Sequence, residues 1–142
     1  LDARFVCGVS QVYTEMMADF RKKILAKRSK QIGAWLVKRN HERHQYFGDS
    51  SYLLEPNLKE GQGGLRDYHT MLWLVRIAFN VKQPRDLEYI GFLSNREYRA
   101  VRRALDFIWG VRNRLHAMTG RRCDQLHFEN QIKMAEALQV AL

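Results

Sequence analysis

Apolar positions in this chain recur mostly at intervals of three and four, the period of a helix with one buried face. Val12, Met16, Phe20 and Ile24 form one such stripe, predicting a helix from about Gln11 to Arg28 with Ser10 as its cap. Ser29 offers a second cap, so Lys30 to Phe47 reads as a separate helix ending at Gly48. Its Ile32, Trp35 and Leu36 point to a core, and Lys38, Arg39, Glu42 and Arg43 to solvent. Residues 1 to 7 alternate differently and carry β-branched and aromatic side chains, as a short strand ending at Gly8 would.

The helical period breaks between Asp49 and Gly64, where Pro56, Gly61, Gly63 and Gly64 fall close together. A loop this long in a compact domain is usually functional or disordered. The period returns at Leu65, Tyr68, Leu72, Val75 and Phe79, predicting a helix to Asn80, then a short turn or helix from Pro84 to Phe92. Ser94 and Glu97 make a capping box for a long helix reaching Thr119 and stopped by Gly120. Its expected stripe is Val101, Ala104, Ile108, Val111, Leu115 and Met118, with Leu105 and Trp109 alongside. A last helix starts near Phe128 and places Ile132, Ala135 and Leu138 inward. The predicted architecture is mainly α, an antiparallel helical bundle with a short N-terminal strand remnant.

Composition narrows the class. The 142 residues are 46% hydrophobic and 27% charged, proportions of a folded domain able to bury a core. Two cysteines, Cys7 and Cys123, are too few for a disulfide framework, and no apolar run is long enough for a bilayer span. A reduced, cytoplasmic protein without membrane insertion is the expectation. The start at Leu1 without Met and the end at Leu142 inside an apolar stretch suggest a piece of a longer chain. Lysines and arginines exceed acids by a net charge of +9, with dense stretches between Arg21 and Arg43 and between Arg96 and Arg122. Interleaved with apolar residues at helical spacing, these read as solvated helix faces, a nucleic-acid-binding surface being the alternative.

Candidate chemistry concentrates between Tyr52 and Trp73, which combine a glycine-rich loop, basic side chains and a helix start. Glycines allow close backbone approach to an anion, and a helix start adds unpaired amides and a positive dipole end. Lys59 and Arg66 would supply charge, while Asp67 would stabilise the helix dipole or compete with an anion. The alternative is a tight interhelix loop in which Glu55, Asn57 and Asp67 only tie backbone together. Neither GxxxxGK[ST] nor GxGxxG is present. His41 and His44 are three apart in HERH, without a third ligand nearby, and fit a polar helix surface better than a metal site. Arg112 and His116 are expected as hydrogen-bonding residues near the bundle seam.

The run EPNLKEGQGGLRD closely resembles the EPN-(I/L)-K-x-x-P-G-G-L-R-D segment of bacterial PII uridylyltransferase/uridylyl-removing enzymes, and Trp73 follows on the next helix as it does there. The opening LDAR, the approach HERHQYFGDSSYLLEPN, and the tail IWGVRNRLHAMTGRRCDQLHFENQIKMAEAL are similar to that family in order and spacing. Gln62 departs from the family's usual proline. The resemblance implies a nucleotidyltransferase that moves UMP from UTP to a tyrosine of the PII signal protein in nitrogen regulation, with Mg2+ as the metal. Residues 1–8 would then end the nucleotidyltransferase core, and 9–142 would be a helical domain beside the nucleotide cleft, with loop 49–64 inside it. Asn57, Lys59, Gly63, Gly64, Arg66 and Asp67 become nucleotide-site candidates, and Asp2 a possible third metal-binding carboxylate.

The family's catalytic D-x-D is absent from this chain, Gly8-Val9-Ser10 is not followed by a carboxylate pair, and no His-Asp dipeptide marks the family's HD domain. The chain alone is therefore expected to be inactive, with the PII protein, UTP and the rest of the parent chain as partners. No specific nucleic-acid partner is expected. The alternatives are the helical appendix of another signal-transduction nucleotidyltransferase and a basic helical RNA- or DNA-binding module.

Overall fold

The computed structural model describes residues 3–47 and 54–138. Six α-helices dominate them: α1 (Ser10–Asp19), α2 (Ala26–Phe47), α3 (Leu65–Phe79), α4 (Asp86–Tyr89), α5 (Asn95–Thr119) and α6 (Phe128–Leu138). A single π-helical segment, Phe20–Leu25, joins α1 to α2. The fold is mainly α, as the periodicity predicts.

The expected strand near the N-terminus does not form over residues 3–7. A strand needs a neighbour to take up its amides and carbonyls, and among the described residues the one β pairing is an isolated antiparallel bridge between Asn57 and Gln125. Instead, Gly8 turns the chain with φ +102°, and the Tyr13 hydroxyl donates to the Ala3 carbonyl at 2.9 Å.

The two helices expected from Gln11 to Phe47 are one helical run. Ser10 is its first helical residue and makes no side-chain cap, and Ser29 lies inside α2. The residues between Phe20 and Leu25 are good helix formers with no glycine or proline, so a π turn accommodates the phase change where a break was expected. The run spans about 57 Å at about 1.5 Å per residue. Its first third is weakly packed: Val12, Met16 and Ile24, from the predicted stripe, are 66%, 49% and 42% exposed.

Two small cores hold the rest. Leu72, Val75, Val81 and Leu87 form one, backed by Tyr68, Met71 and Leu93. Val111, Leu115 and Met134 form the other, backed by Leu58, Cys123, Leu126 and Leu138. Helix α2 packs on α3, and α5 on α4 and α6. The Ser94–Glu97 capping box is present with both reciprocal bonds, and Gly120 ends α5 with φ +62°.

Several inward assignments shift. On α6 the buried residues are Asn130 and Met134, while Ile132 is exposed. On α5, Leu105 is buried where Ala104 was expected, and Met118 faces out. Trp35 and Phe79 are exposed, whereas Arg43 has only 11% of its side chain exposed. That last reversal builds the candidate site.

Candidate functional site

The segment before the glycines is stapled to the connection between α5 and α6. Leu58 N donates to the Asp124 carbonyl at 2.8 Å and Leu126 N to the Pro56 carbonyl at 2.9 Å, flanking the Asn57–Gln125 bridge. Gln125 Nε2 donates to the Glu55 carbonyl at 2.7 Å, and the Glu55 carboxylate accepts from Phe128 N at 2.8 Å, at the start of α6. The Phe128 amide and His127 together hold the Glu55 carboxyl below its ordinary range.

Asn57 shapes the turn that follows. Its Oδ1 accepts from Lys59 N at 3.0 Å and Glu60 N at 2.8 Å, the bonding by which asparagine side chains build turns. The loop then feeds its own carbonyls to the start of α3: Leu65 N reaches Leu58 O at 3.1 Å, Arg66 N reaches Lys59 O at 2.9 Å, and Asp67 N reaches Gly64 O at 3.0 Å. Gly63 N donates to Asp67 Oδ2 at 2.7 Å. The amides that a helix start usually leaves unpaired are in use here, so an anion at this loop would meet side chains. Glycine is required by the same closeness. A Cβ on Gly64 would stand 2.9 Å from the carbonyl oxygens of Gly61 and Lys59, and one on Gly61 would stand 2.7 Å from that of Asn57.

Arg43, arriving from α2, fastens the loop from behind. Its guanidinium donates to the Asp67 carboxylate, the Glu60 carbonyl and Asn40 Oδ1. His44 Nε2 lies 2.8 Å from Asp67 Oδ1 and 3.0 Å from Oδ2. Burial pushes the Asp67 carboxyl up, but Arg43, His44 and the Gly63 amide outweigh it and keep the group below its ordinary range. Glu60 behaves likewise: burial raises it, and Arg66 and Lys59 bring it down. Lys59 Nζ at 3.1 Å and Arg66 at 3.3 Å meet the same Glu60 oxygen, Oε1.

A further carboxylate, Asp124, braces the far side. Asp124 Oδ1 accepts from Arg112 Nε at 2.7 Å and lies 3.1 Å from His116 Nε2, the hydrogen-bonding roles expected of those two residues. Burial raises the Asp124 carboxyl, and Arg112, His116 and more distantly Lys59 overcome it. Carboxylates at both ends thus fix the loop between α2 and α5.

Beside the loop, α2 and α3 enclose a cleft of about 640 Å3 lined by Trp35, Arg39, Arg43, Glu60, Arg66 and Trp73, among others. Of the sequence candidates, Arg66 lines this cleft; Lys59 joins it through Glu60; Asn57, Gly63, Gly64 and Asp67 form the frame behind. Asp2 lies outside the described residues. Sequence reasoning missed Arg43, Glu60 and Asp124. For Arg43 a signal existed, because Leu36, Asn40, Arg43 and Phe47 recur at four, three and four, the spacing of one helix face. Among the described residues, no group of three or more His, Cys, Asp or Glu side chains is placed to hold a metal ion. No described helix is long and apolar enough to cross a membrane.

Comparison with known proteins places this loop within a family. The family model described as GlnD PII-uridylyltransferase matches residues 33–141, which include α2 from Gly33 onward, the loop and α3 to α6. The chain belongs to this family. It is 40% identical over 141 residues to a bifunctional uridylyltransferase/uridylyl-removing enzyme of Novosphingobium aromaticivorans, covering 99% of the chain and 16% of that relative. Enzymes of the same description from Nitrobacter hamburgensis and Rhodopseudomonas palustris are 38% identical over 138 residues and 37% over 131. These cover 97% and 92% of the chain, and 15% and 14% of the relatives. The chain thus spans about a sixth of the length of the curated uridylyltransferases it matches. No solved structure matches it. Within the matched region of this GlnD-family chain lie Arg43, Asp67 and Asp124, which hold the loop in place, and Glu60 and Arg66 beside the cleft.

Proposed function

We propose that this chain is the helical domain of a cytoplasmic PII uridylyltransferase, packed beside a nucleotidyltransferase core and closing one side of its nucleotide cleft. The parent enzyme would transfer UMP from UTP to a tyrosine of the PII signal protein and release pyrophosphate. The observation that carries the role of the loop is the convergence of Lys59 and Arg66 on one oxygen of Glu60. Two cations held a few ångströms apart by a carboxylate are spaced to grip two oxygens of a phosphate chain once Glu60 gives way.

Asn57, Gly63, Gly64 and Asp67 then act as the frame that fixes where those cations stand. Arg43 and Asp124 anchor the frame to α2 and to the α5–α6 connection. The transfer uses a divalent metal, Mg2+ in this proposal, to neutralise phosphate charge and position the reacting groups. Asp2 is the one residue of this chain proposed toward that metal, and every role assigned to the loop concerns phosphate binding and orientation alone.

The test is Lys59→Ala in the full-length enzyme containing this chain, with labelled UTP and purified PII protein. A rise of about tenfold in the KM for UTP, corresponding to about 1.4 kcal/mol, is expected for loss of one charge-assisted phosphate contact. An unchanged KM for UTP removes Lys59 from the nucleotide site.

A further inference from the structure

We infer a second anion site, distinct from the glycine loop, in the cavity where the π-helical segment of Phe20–Leu25 meets the end of α3. The cavity measures about 410 Å3, and its lining includes Arg4, Arg21, Arg76, Asn80 and Lys82, and no acidic residue among those described. Tyr13 closes one edge by holding the Ala3 carbonyl at 2.9 Å. Met17, Phe20 and Val81 supply an apolar floor.

Arg76 makes interactions of its own, so Arg4, Arg21 and Lys82 carry the argument. Among the described residues, none of these three side chains forms an ion pair, although the protein pairs many of its other cations with carboxylates. Lys23 with Asp19, Arg43 with Asp67 and Arg112 with Asp124 are examples. Asp86, beside Lys82, accepts from the backbone amides of Lys82 and Gln83 at 2.9 Å each, and the carboxyl is held low mainly by those bonds. It dilutes the positive field at Lys82 without entering the cavity lining.

Like charges around one cavity repel, and a multivalent anion relieves that repulsion while gaining charge-assisted hydrogen bonds. The negative end of the α3 dipole, near Asn80, opposes binding, but amounts to about half a charge against three or four whole ones. The π turn sets the geometry: it places Phe20, Arg21 and Leu25 together on the cavity wall, and such turns occur often at functional sites. The ligand class is a small phosphate-bearing anion, either free phosphate or pyrophosphate, or the phosphate chain of a nucleotide.

Chemical footprinting on the full-length enzyme containing this chain tests the site. Lysines are acetylated with a limiting reagent and read by mass spectrometry, with Lys82 reporting this cavity, Lys59 the glycine loop and Lys38 on α2 serving as reference. The probes are inorganic phosphate, pyrophosphate, UTP, and sodium chloride at matched ionic strength. Acetylation of Lys82 relative to Lys38 should slow about threefold at a probe concentration about twice the Kd, and the effect should vanish in Arg4→Ala and Arg21→Ala. Protection by pyrophosphate or phosphate identifies a site for the free anion; protection by UTP alone identifies a nucleotide. Protection of Lys82 without Lys59 supports this site while contradicting the loop proposal, and the converse contradicts this site while supporting the loop. Equal slowing by chloride, no slowing by any probe, or protection that persists in both arginine variants overturns the inference.

Discussion

Arg43→Ala is the perturbation to which this structure should be most sensitive. The side chain is 11% exposed and its guanidinium serves Asp67, the Glu60 carbonyl and Asn40 together. Breaking a buried ion pair from one side costs about 3–5 kcal/mol where the remaining charge is stranded. Asp67 would not be stranded, because His44 and the Gly63 amide remain within 3.0 Å or less and its side chain is 23% exposed. The expected loss is therefore about 2 kcal/mol, the value of a hydrogen bond to a charged group plus a weakened carbonyl contact. Urea unfolding of the 142-residue chain, followed by far-ultraviolet circular dichroism, measures it. A double-mutant cycle with Asp67→Asn should return a coupling of about 1 kcal/mol or more. A loss under about 0.5 kcal/mol, or additive effects, would mean that α2 does not brace the loop and that the frame described above is wrong.

Three further outcomes follow from the same geometry. Gly64→Ala should destabilise the chain by about 1–3 kcal/mol in the same unfolding assay, because its Cβ would meet three loop carbonyls at 2.9 to 3.0 Å. Ser94→Ala should cost about 1 kcal/mol, read as a lower urea midpoint, by removing the acceptor for the Glu97 amide. Asp67 and Asp124 both titrate below their ordinary 3.8 in the folded chain. Their stabilising contribution is then fully present above about pH 4 and is lost as pH falls through the lower folded values. Acid unfolding should consequently become shallower below about pH 4 in Asp67→Asn, and an unchanged acid profile would contradict the assignment.

Local chemistry made much of the fold legible. The Ser94–Glu97 box, the Gly120 stop and the glycine-rich break before Leu65 each depend on a few adjacent residues, and each appears where its residues predict. The strand near residues 3–7 was misread because alternation alone cannot supply a partner strand. Ser29 was misread as a cap because a π turn upstream keeps the helix in register without a break. On α6, Ile132 is the more hydrophobic choice, yet α5 meets the face carrying Met134. The site was legible as a loop with Glu55, Asn57 and Asp67 as backbone ties, and its long-range anchors were not legible. Its anchors pair Arg43 with Asp67 and Leu58 with Asp124, contacts across 24 and 66 positions that no local pattern announces.

On the proposed function, the loop from Asn57 to Asp67 is a rigid frame presenting Arg66 and Lys59 to nucleotide phosphate. Arg66 is the decisive residue, since its side chain is 35% exposed and pairs with Glu60 at 3.3 Å, an attachment too slight to carry the fold. Arg66→Ala should therefore be made in the full-length enzyme containing this chain, with the UTP-dependent transfer rate and the unfolding midpoint measured on the same preparation. The transfer rate should fall by about tenfold or more, with stability within about 1 kcal/mol of the parent. A normal rate accompanied by a large loss of stability would contradict it, making Arg66 an internal brace and the loop a structural connection alone.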